Sequence, residues 1–292
     1  MAENTPICSW YDSRKAITLC SVLLQSIILP NMPNPIFQDI AQCLRNQFDK
    51  VSLAELGRVQ LMDRCDTKCF FHVNQLPQLL SDLSPYYNVL EIADLHCLQY
   101  DSLYFDTPDF ALYHHHHNHH SNRYKIRFRQ YVESNRLTFF EVKQKSNKGR
   151  TLKNRVRCVD IIDHLPGEGT PLLQSTSIAN FRLQPMLRIG YKRITLVNKD
   201  FTERATIDLH LTFDNNNIHT ELPRIAIIEV KQDHLDRRSP MMQILHQHKI
   251  YAGSISKYCV GMLFCYPQLK ANNFKKTMLR IERLQHLPLI SA

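Results

Sequence analysis

The residues best suited to chemistry stand at every second position of several consecutive segments. In RYKIRFRQYV (123–132), arginine or lysine occupies positions 123, 125, 127 and 129, whereas aromatic or aliphatic residues occupy the positions between them. In a β-strand, residues two apart project to the same face of the sheet. The segment therefore predicts a strand with one basic and one apolar face. Such a basic face is suited to binding phosphate groups, which arginine and lysine recognise through charge-assisted hydrogen bonds.

A few carboxylates share faces with these cations. Glu141 in TFFEVKQK and Glu229 in RIAIIEVKQ each precede a lysine by two residues, and Asp208 in ERATIDLHLTF lies on the same face as Arg204. Carboxylate and phosphate oxygens are the ligands that Mg²⁺ and Mn²⁺ prefer. We therefore predict that Glu229, Glu141 and Asp208 hold one of these two metals.

The charge of the chain is concentrated rather than spread. The 292 residues carry a formal charge of +9, and the stretch 123–157 alone contains twelve basic residues against two glutamates. A solvated charged face would explain one such strand, but five in succession repel one another unless a polyanion neutralises them. A closed barrel resolves the conflict, because the basic faces then line a lumen and the apolar faces pack outward against helices.

Proline residues divide the chain near its start. Pro30, Pro33 and Pro35 follow an apolar stretch that is short for a membrane span and lacks a cleavage pattern. We expect residues 1–34 to be an N-terminal extension, poorly ordered or a short helix, and residues 35–292 to form one domain that includes a C-terminal helix. The nine cysteines contain no CxxC pair, which favours a reducing, cytoplasmic location.

Hydrophobic periodicity places the elements within the domain. Asn74 is expected to cap a short helix with Pro77 in its first turn. Helices are predicted over residues 35–48, 51–62, 239–251 and 274–285. Strands are predicted over residues 66–73, 98–105, 123–132, 136–145, 186–197, 203–213 and 224–232.

A histidine-rich segment precedes the most basic strand. LYHHHHNHHSNR, residues 112–123, has six histidines in a window of seven. Adjacent histidines point in divergent directions and give no fixed coordination geometry, so we expect a polar connecting loop rather than a structural metal site.

An ordered set of segments resembles a known family. YFDTPDFALY at 104–113 is followed by NRYKIRFRQY, FFEVKQKSNKGRTLKNRV, MLRIGYKR, ERATIDLHLTF, AIIEVKQ and SKYCVGM. Together these resemble the VTC (vacuolar transporter chaperone) domain of bacterial proteins, within the triphosphate tunnel metalloenzyme superfamily, over residues 35–265. The resemblance implies an α+β fold, an eight-stranded antiparallel β tunnel with helices packed on its outside.

The resemblance also implies site residues. The catalytic residues it implies are Lys68, Arg127, Arg129, Lys143, Lys153, Arg188, Arg204 and Lys257. Ser256 matches a further phosphate-binding position, and we add Arg193 and Lys231 to that group. Glu229 matches the metal-binding glutamate of the family.

The function implied is polymerisation of inorganic polyphosphate from ATP with Mn²⁺ or Mg²⁺. An inorganic triphosphatase or short-chain polyphosphate hydrolase is the first alternative, since water can replace the phosphate acceptor in the same tunnel. A noncatalytic polyphosphate- or nucleic-acid-binding module is the second. Nucleic acid is not expected, because the interleaved aromatic residues alternate away from the arginines. Export of the product would require a separate membrane protein partner.

Overall fold

The computed structural model describes residues 35–57, 65–147 and 151–288. The predicted extension over residues 1–34 lies outside them. The helices are α1 (Pro35–Gln47), α2 (Leu53–Leu56), α3 (Leu76–Leu83), α4 (Ala111–His117), α5 (Thr170–Gln174), α6 (Pro240–Gln247), α7 (Lys257–Cys265) and α8 (Lys275–His286). The strands are β1 (Asp49–Val51), β2 (Cys65–His72), β3 (Tyr87–Leu90), β4 (Cys97–Asp106), β5 (Arg123–Tyr131), β6 (Leu137–Lys145), β7 (Thr151–Cys158), β8 (Gln184–Asn198), β9 (Glu203–Asp214), β10 (His219–Leu222) and β11 (Ile225–Gln232).

The strands form one sheet of the predicted α+β class. Eight of them follow a continuous antiparallel path in the order β2-β11-β9-β8-β4-β5-β6-β7. β10 pairs with β9 in the antiparallel direction. β3 pairs with β8 in the antiparallel direction and with β1 in the parallel direction. Within the described ranges, no helix is both long and apolar enough to cross a membrane.

The strands that the structure describes do not form the closed barrel predicted from the sequence. β2 and β7 stand at the two ends of the path and do not pair with each other among the described residues. The outer edge of β2 is already occupied: Ala252 forms a bridge with Cys69, and the Gly253 amide donates a hydrogen bond of 2.8 Å to the Lys68 carbonyl. The segment before α7 thus satisfies backbone groups that β7 would need for closure.

The basic and apolar faces of the strands are arranged as the sequence predicts. On β5, Tyr124, Ile126 and Phe128 are buried in a cluster with Leu112 of α4 and Leu173 of α5. Helices α1, α3 and α6 cover the corresponding apolar faces of β2, β8, β9 and β11 in a second cluster. Burial of these faces leaves the charged side chains on the concave side of the sheet.

One helix departs from the prediction that all helices pack outside. α7 lies on the same side of the sheet as the cations, where the Tyr258 ring stacks on Tyr104 with centroids 5.2 Å apart. Gly261 permits the close approach of α7 to β8 and β9, because a Cβ atom there would lie 2.5 Å from the Phe213 ring and 2.8 Å from Leu187. This helix is not predicted from the sequence, because it carries no amphipathic pattern. All nine of its residues except Lys257 are buried.

Other elements were predicted with mixed accuracy. The helix expected over residues 35–48 and the strands expected over residues 66–73 to 224–232 are confirmed. The helix predicted over residues 51–62 is short, Leu53–Leu56, and residues 58–64 lie outside the described part. Asn74 does not cap α3: a 3₁₀ turn precedes that helix, and the Asn74 side-chain amide donates instead to the Pro288 carbonyl at 2.9 Å.

His114 to His117 lie in a helix rather than in the expected loop, whereas His119 and His120 follow that helix and are exposed. α4 ends at His117, which is fully buried and accepts a hydrogen bond from the Asn273 amide. The His116 ring lies 2.9 Å from the Tyr124 carbonyl, and burial lowers the pKa of this histidine to about 3. The described residues contain no group of three or more histidine, cysteine or carboxylate side chains placed to hold a metal. His116 and His117 therefore pack within the domain.

A buried carboxylate joins α4 and α7. Asp106, at the end of β4, accepts hydrogen bonds from the backbone amides of Thr107 at 2.7 Å, Leu112 at 2.8 Å and Tyr113 at 2.9 Å. The Tyr258 hydroxyl of α7 donates to the same carboxylate. Asp106 therefore fixes the helix whose first residue, Lys257, reaches the concave side of the sheet.

Replacing Asp106 with alanine is expected to lower the free energy of unfolding by at least about 3 kcal/mol, because three buried amides lose their acceptor. Urea unfolding followed by circular dichroism measures the loss. Asp109→Ala is the matched control: this exposed residue three positions along the chain should change stability by no more than about 0.5 kcal/mol. Equal stability of the two variants would contradict the role assigned to Asp106.

Candidate anion-binding cavity

The concave side of the sheet encloses a cavity of about 760 Å³, within the usual range for ligand sites. All eight strands of the main path and the segment before α7 contribute side chains to it. Its lining includes the cations Lys68, Lys125, Arg127, Arg129, Lys143, Lys153, Arg155, Arg193, Arg204, Lys231 and Lys257. The lining carboxylates are Glu133, Glu141 and Glu229. The excess of positive charge is that of a site for a polyanion.

Arg127 is held at the centre of β5 by fixed partners. Its Nε and Nη2 donate to Glu141 Oε2 at 2.9 and 2.7 Å, and its Nη1 donates to the Tyr104 hydroxyl at 2.6 Å. Lys153 of β7 lies 2.5 Å from the other oxygen of Glu141. Although burial opposes ionisation, Arg127 and its neighbouring cations hold the pKa of Glu141 below its usual range. The carboxylate thus orients two cations.

A second carboxylate organises cations on β8 and α7. Arg193 donates through Nε and Nη2 to the two oxygens of Asp208, at 2.6 and 2.8 Å, and Lys257 forms an ion pair with the same group. Asp208 is only 1% exposed. Burial opposes its ionisation, but Arg193 and Lys257 overcome this and lower its pKa. The Arg193 guanidinium also lies 4.9 Å from the centroid of the Tyr100 ring.

The start of α7 faces Lys125. The Ser256 hydroxyl accepts a hydrogen bond from the Cys259 amide and another, of 3.0 Å, from the Lys125 ammonium. Burial lowers the pKa of Lys125. Lys125 is not among the site residues predicted from the sequence, although it shares a strand face with Arg127 and Arg129. The alternation in RYKIRFRQYV was sufficient to predict its position.

Glu229 of β11 stands among cations at the β2 side. Its neighbour across the ladder is Lys68, and Lys231 lies 3.2 Å from its Oε1. Burial opposes ionisation of Glu229, but Lys231, Lys68 and Lys257 hold its pKa well below its usual range. The group therefore remains a carboxylate at neutral pH.

A cavity cation and a buried hydroxyl have polar atoms without hydrogen-bond partners among the described residues. Arg129 lies 5.7 Å from the Tyr100 ring centroid, and its buried Nε has no hydrogen-bond partner among the described residues. On β9, the buried Thr206 hydroxyl likewise has none, and Arg204 lines the cavity two residues before it. Buried donors without acceptors mark a place where a ligand would complete the hydrogen bonding.

Arg188 is not brought to the cavity. It is separated from Arg193 by five residues on β8, so strand alternation places the two on opposite faces. Its guanidinium is more than half exposed and forms an ion pair with Asp101 on the outer face. A bulge in β8 could have turned Arg188 toward the cavity. The register shift between β8 and β9, however, arises from an extra residue in β9, where His210 has φ 47°. The inward residues of β8 remain the odd-numbered ones.

The three carboxylates predicted as metal ligands do not form a metal-binding group among the described residues. Glu141 and Asp208 have both oxygens engaged by arginine and lysine. In Glu229, by contrast, only one of the two carboxylate oxygens forms an ion pair among the described contacts. Mg²⁺ commonly uses one or two protein carboxylates together with substrate phosphates and water. The donor set therefore fits a metal held by Glu229 and bound phosphate, and not by three protein ligands.

The pH dependence of anion binding follows from two buried lysines. Burial, reinforced by Lys125, lowers the pKa of Lys143 to about 8, and burial also lowers the pKa of Lys231 to about 8 despite the adjacent Glu229. Both carry charge below that pH and lose it above. We expect tripolyphosphate affinity to fall about tenfold for each of these two lysines between pH 7 and pH 9, as linkage requires of a lysine that must be charged in the complex.

Calorimetric titration at several pH values tests this expectation. Lys143→Gln should bind tripolyphosphate more weakly at pH 7 and show a shallower fall toward pH 9. Lys199→Gln, at an exposed ion pair with Asp49 away from the cavity, should reproduce the native profile. A native profile that is flat, or that rises with pH, would contradict the assignment.

The fold and cavity define a class: an antiparallel β protein with a cation-lined cavity on its concave face. Comparison with known families places the chain within that class. The VTC domain matches residues 63–266, well over half of the chain, so the protein belongs to the VTC domain family. Most sequence-predicted site residues line the cavity, Arg188 being the exception together with the engaged Asp208.

Other comparisons add less. Among solved structures, the chain is similar to a putative adenylyl cyclase from Hippeastrum, described as having a dominant triphosphatase activity. The identity is 16%, the TM-score is 0.39, and the match covers 72% of this chain and 98% of the other. Comparison with curated proteins gave no match.

Proposed function

We propose that the protein is a metal-dependent polyphosphate polymerase that transfers the γ-phosphoryl group of ATP to the end of a phosphate chain and releases ADP. The observation that carries the proposal is the cavity itself, where eleven cations from seven strands and α7 surround a space of about 760 Å³. A site with this charge is stable when it holds several phosphate groups at once.

In the reaction, a terminal oxygen of the phosphate chain attacks the γ-phosphorus of ATP. The bond from that phosphorus to the β–γ bridging oxygen breaks, and ADP leaves with the electron pair. Catalysis of such a transfer comes mainly from positioning and charge stabilisation. Arg127, fixed by Glu141 and Tyr104, and Arg193, fixed by Asp208, would act as rigid phosphate clamps.

The remaining cations would neutralise the two reactants. Four lysines line the cavity from four different elements, and none belongs to the Arg127–Glu141 pair. They are Lys68, Lys125, Lys143 and Lys257. Like-charged donor and acceptor phosphates can be brought together only where such charges offset their repulsion. Glu229 would hold Mn²⁺ or Mg²⁺, which supplies charge stabilisation to phosphate oxygens when bound.

Hydrolysis of triphosphate is the second candidate. The β7 side of the cavity is open to solvent: Lys153 is 39% exposed in its side chain, and Arg155 is also exposed. Water could therefore reach phosphates bound near these residues and replace the acceptor chain.

The two functions predict different products. With ATP and Mn²⁺, a polymerase releases ADP without an equal amount of free phosphate, and labelled phosphate appears in long chains on a urea gel. A triphosphatase releases ADP and phosphate in equal amounts, or cleaves tripolyphosphate. Detection of equimolar free phosphate and no chains would reject the polymerase. Tight binding of phosphate chains with no turnover of either substrate would leave only a binding module.

A further inference from the structure

The last helix, α8, presents a cationic face to solvent, outside the cavity. Its sequence is KKTMLRIERLQH, and Lys275, Lys276 and Arg283 are exposed. Helical periodicity places these three residues on one stripe. No ion pair in the described part of the chain involves any of the three. Glu282, the one carboxylate of the helix, is half-buried at the flank of the stripe. The stripe therefore carries positive charge without local neutralisation.

A leucine stands in the middle of this cationic stripe. Leu279 is 52% exposed, and it lies four residues after Lys275 and four before Arg283, which makes both its neighbours on the helix surface. Leu287, directly after the helix, is also exposed. Single exposed leucines are common on protein surfaces. A leucine flanked by unpaired cations on both sides, however, gives the face apolar and positive groups together.

The inner side of α8 makes the contacts that attach the helix to the sheet. Ile281 is buried, and Arg280 Nη2 donates to the Phe70 carbonyl at 2.6 Å while its guanidinium lies 4.2 Å from the centroid of the Phe70 ring. The Thr277 hydroxyl donates to the Ser254 carbonyl at 3.0 Å. The exposed cations and Leu279 are therefore not needed to hold the helix in place and remain accessible to a partner.

The combination of groups fits an anionic lipid bilayer. Its head groups attract lysine and arginine, and the boundary between head groups and acyl chains receives apolar side chains. A phosphate polyanion in water would pair with the cations alone and would offer Leu279 no apolar surroundings. The formal charge of +9 on the whole chain also favours approach to an anionic surface.

We propose that the exposed face of α8, formed by Lys275, Lys276, Leu279 and Arg283, is a docking surface for an anionic lipid bilayer. The helix lies in the plane of the interface, where Leu279 enters the acyl boundary and the cations contact head groups. The inner side of the same helix holds the segment that leads to Lys257 of the cavity. Docking requires no group of the cavity, so it does not depend on the proposed function.

Cosedimentation of the full chain with lipid vesicles tests this surface. The native protein should bind phosphatidylcholine vesicles that contain about 30% phosphatidylserine at least tenfold more tightly than vesicles of phosphatidylcholine alone. The double variant Lys276→Glu, Arg283→Glu should bind the anionic vesicles at least about 25-fold more weakly, because each cation near such a surface contributes about fivefold.

The matched control for charge is the double variant Lys192→Glu, Lys199→Glu. It changes the net charge equally at two exposed lysines outside α8 and should stay within about threefold of native vesicle binding, since screening limits the effect of distant charges. Equal losses in the two double variants would overturn the docking surface, because net charge alone would then explain the binding.

Leu279→Ser distinguishes a bilayer from a soluble polyanion. It should weaken binding to the anionic vesicles about tenfold, through loss of apolar burial, and leave binding to a single-stranded DNA oligonucleotide unchanged. Leu95→Ser, at a leucine that is 45% exposed before β4, is the control and should bind vesicles as the native protein does. Native affinity of Leu279→Ser for vesicles, or failure of the native protein to bind anionic vesicles, would overturn the proposal.

Discussion

Arg129→Ala is expected to lower kcat/KM for ATP about 100- to 1,000-fold, the loss typical of removing one preorganised cation or hydrogen-bond donor from a phosphoryl-transfer site. Arg129 projects from the centre of β5 into the cavity, and its buried Nε has no partner among the described residues. Its donors are therefore available to phosphate. Because the change also removes repulsion among neighbouring cations, the free energy of unfolding should change by no more than about 1 kcal/mol.

Arg188→Ala is the matched control for this prediction. It also removes an arginine from a central strand of the sheet, but one that lies on the outer face with Asp101. Its kcat/KM should stay within about twofold of the native value, because an exposed ion pair contributes little and does not touch the cavity. Equal losses in the two variants would mean that net charge, and not the position of Arg129, supports activity.

Glu229→Gln is expected to lower metal-dependent turnover roughly 100-fold or more, since it removes the carboxylate best placed to share a metal with bound phosphate. In the absence of metal, the same variant should bind tripolyphosphate as tightly as the native protein or more tightly, because a negative charge has left the cavity. Turnover measured across a range of Mn²⁺ concentrations, together with titration in chelator, separates the two effects.

The control for Glu229 is Glu221→Gln on β10. This carboxylate is partly exposed, lies 3.2 Å from His219 and is not part of the cavity. Its variant should keep the native metal dependence. The metal assignment fails if Glu229→Gln retains native turnover with an unchanged response to Mn²⁺.

The polarity of the strands was predictable from the sequence because alternation in a strand is a local property. RYKIRFRQYV gave the faces of β5 correctly, and the charged face is concave because covering helices bury Tyr124, Ile126 and Phe128. The misplacement of Arg188 shows the limit of matching short segments to a family. Arg188 and Arg193 are five positions apart, so alternation places them on opposite faces of β8 unless that strand contains a bulge. The bulge is in β9 instead.

Closure of the sheet and the position of α7 could not be predicted in the same way. Both depend on contacts distant in sequence, such as the Gly253 amide on β2 and the Tyr258 hydroxyl on Asp106. The grouping of the carboxylates is also a tertiary property. Glu141 and Asp208 share strand faces with cations, as predicted, but only the packed sheet shows that Arg127 and Arg193 already occupy them.

The central claim is that the concave cavity binds a chain of phosphates, and titration of the protein with tripolyphosphate by calorimetry tests it most directly. The account predicts one bound tripolyphosphate per chain in the native protein and in Arg188→Ala, with binding lost or greatly weakened in Arg129→Ala. No binding by the native protein, or undiminished binding by folded Arg129→Ala, would contradict it.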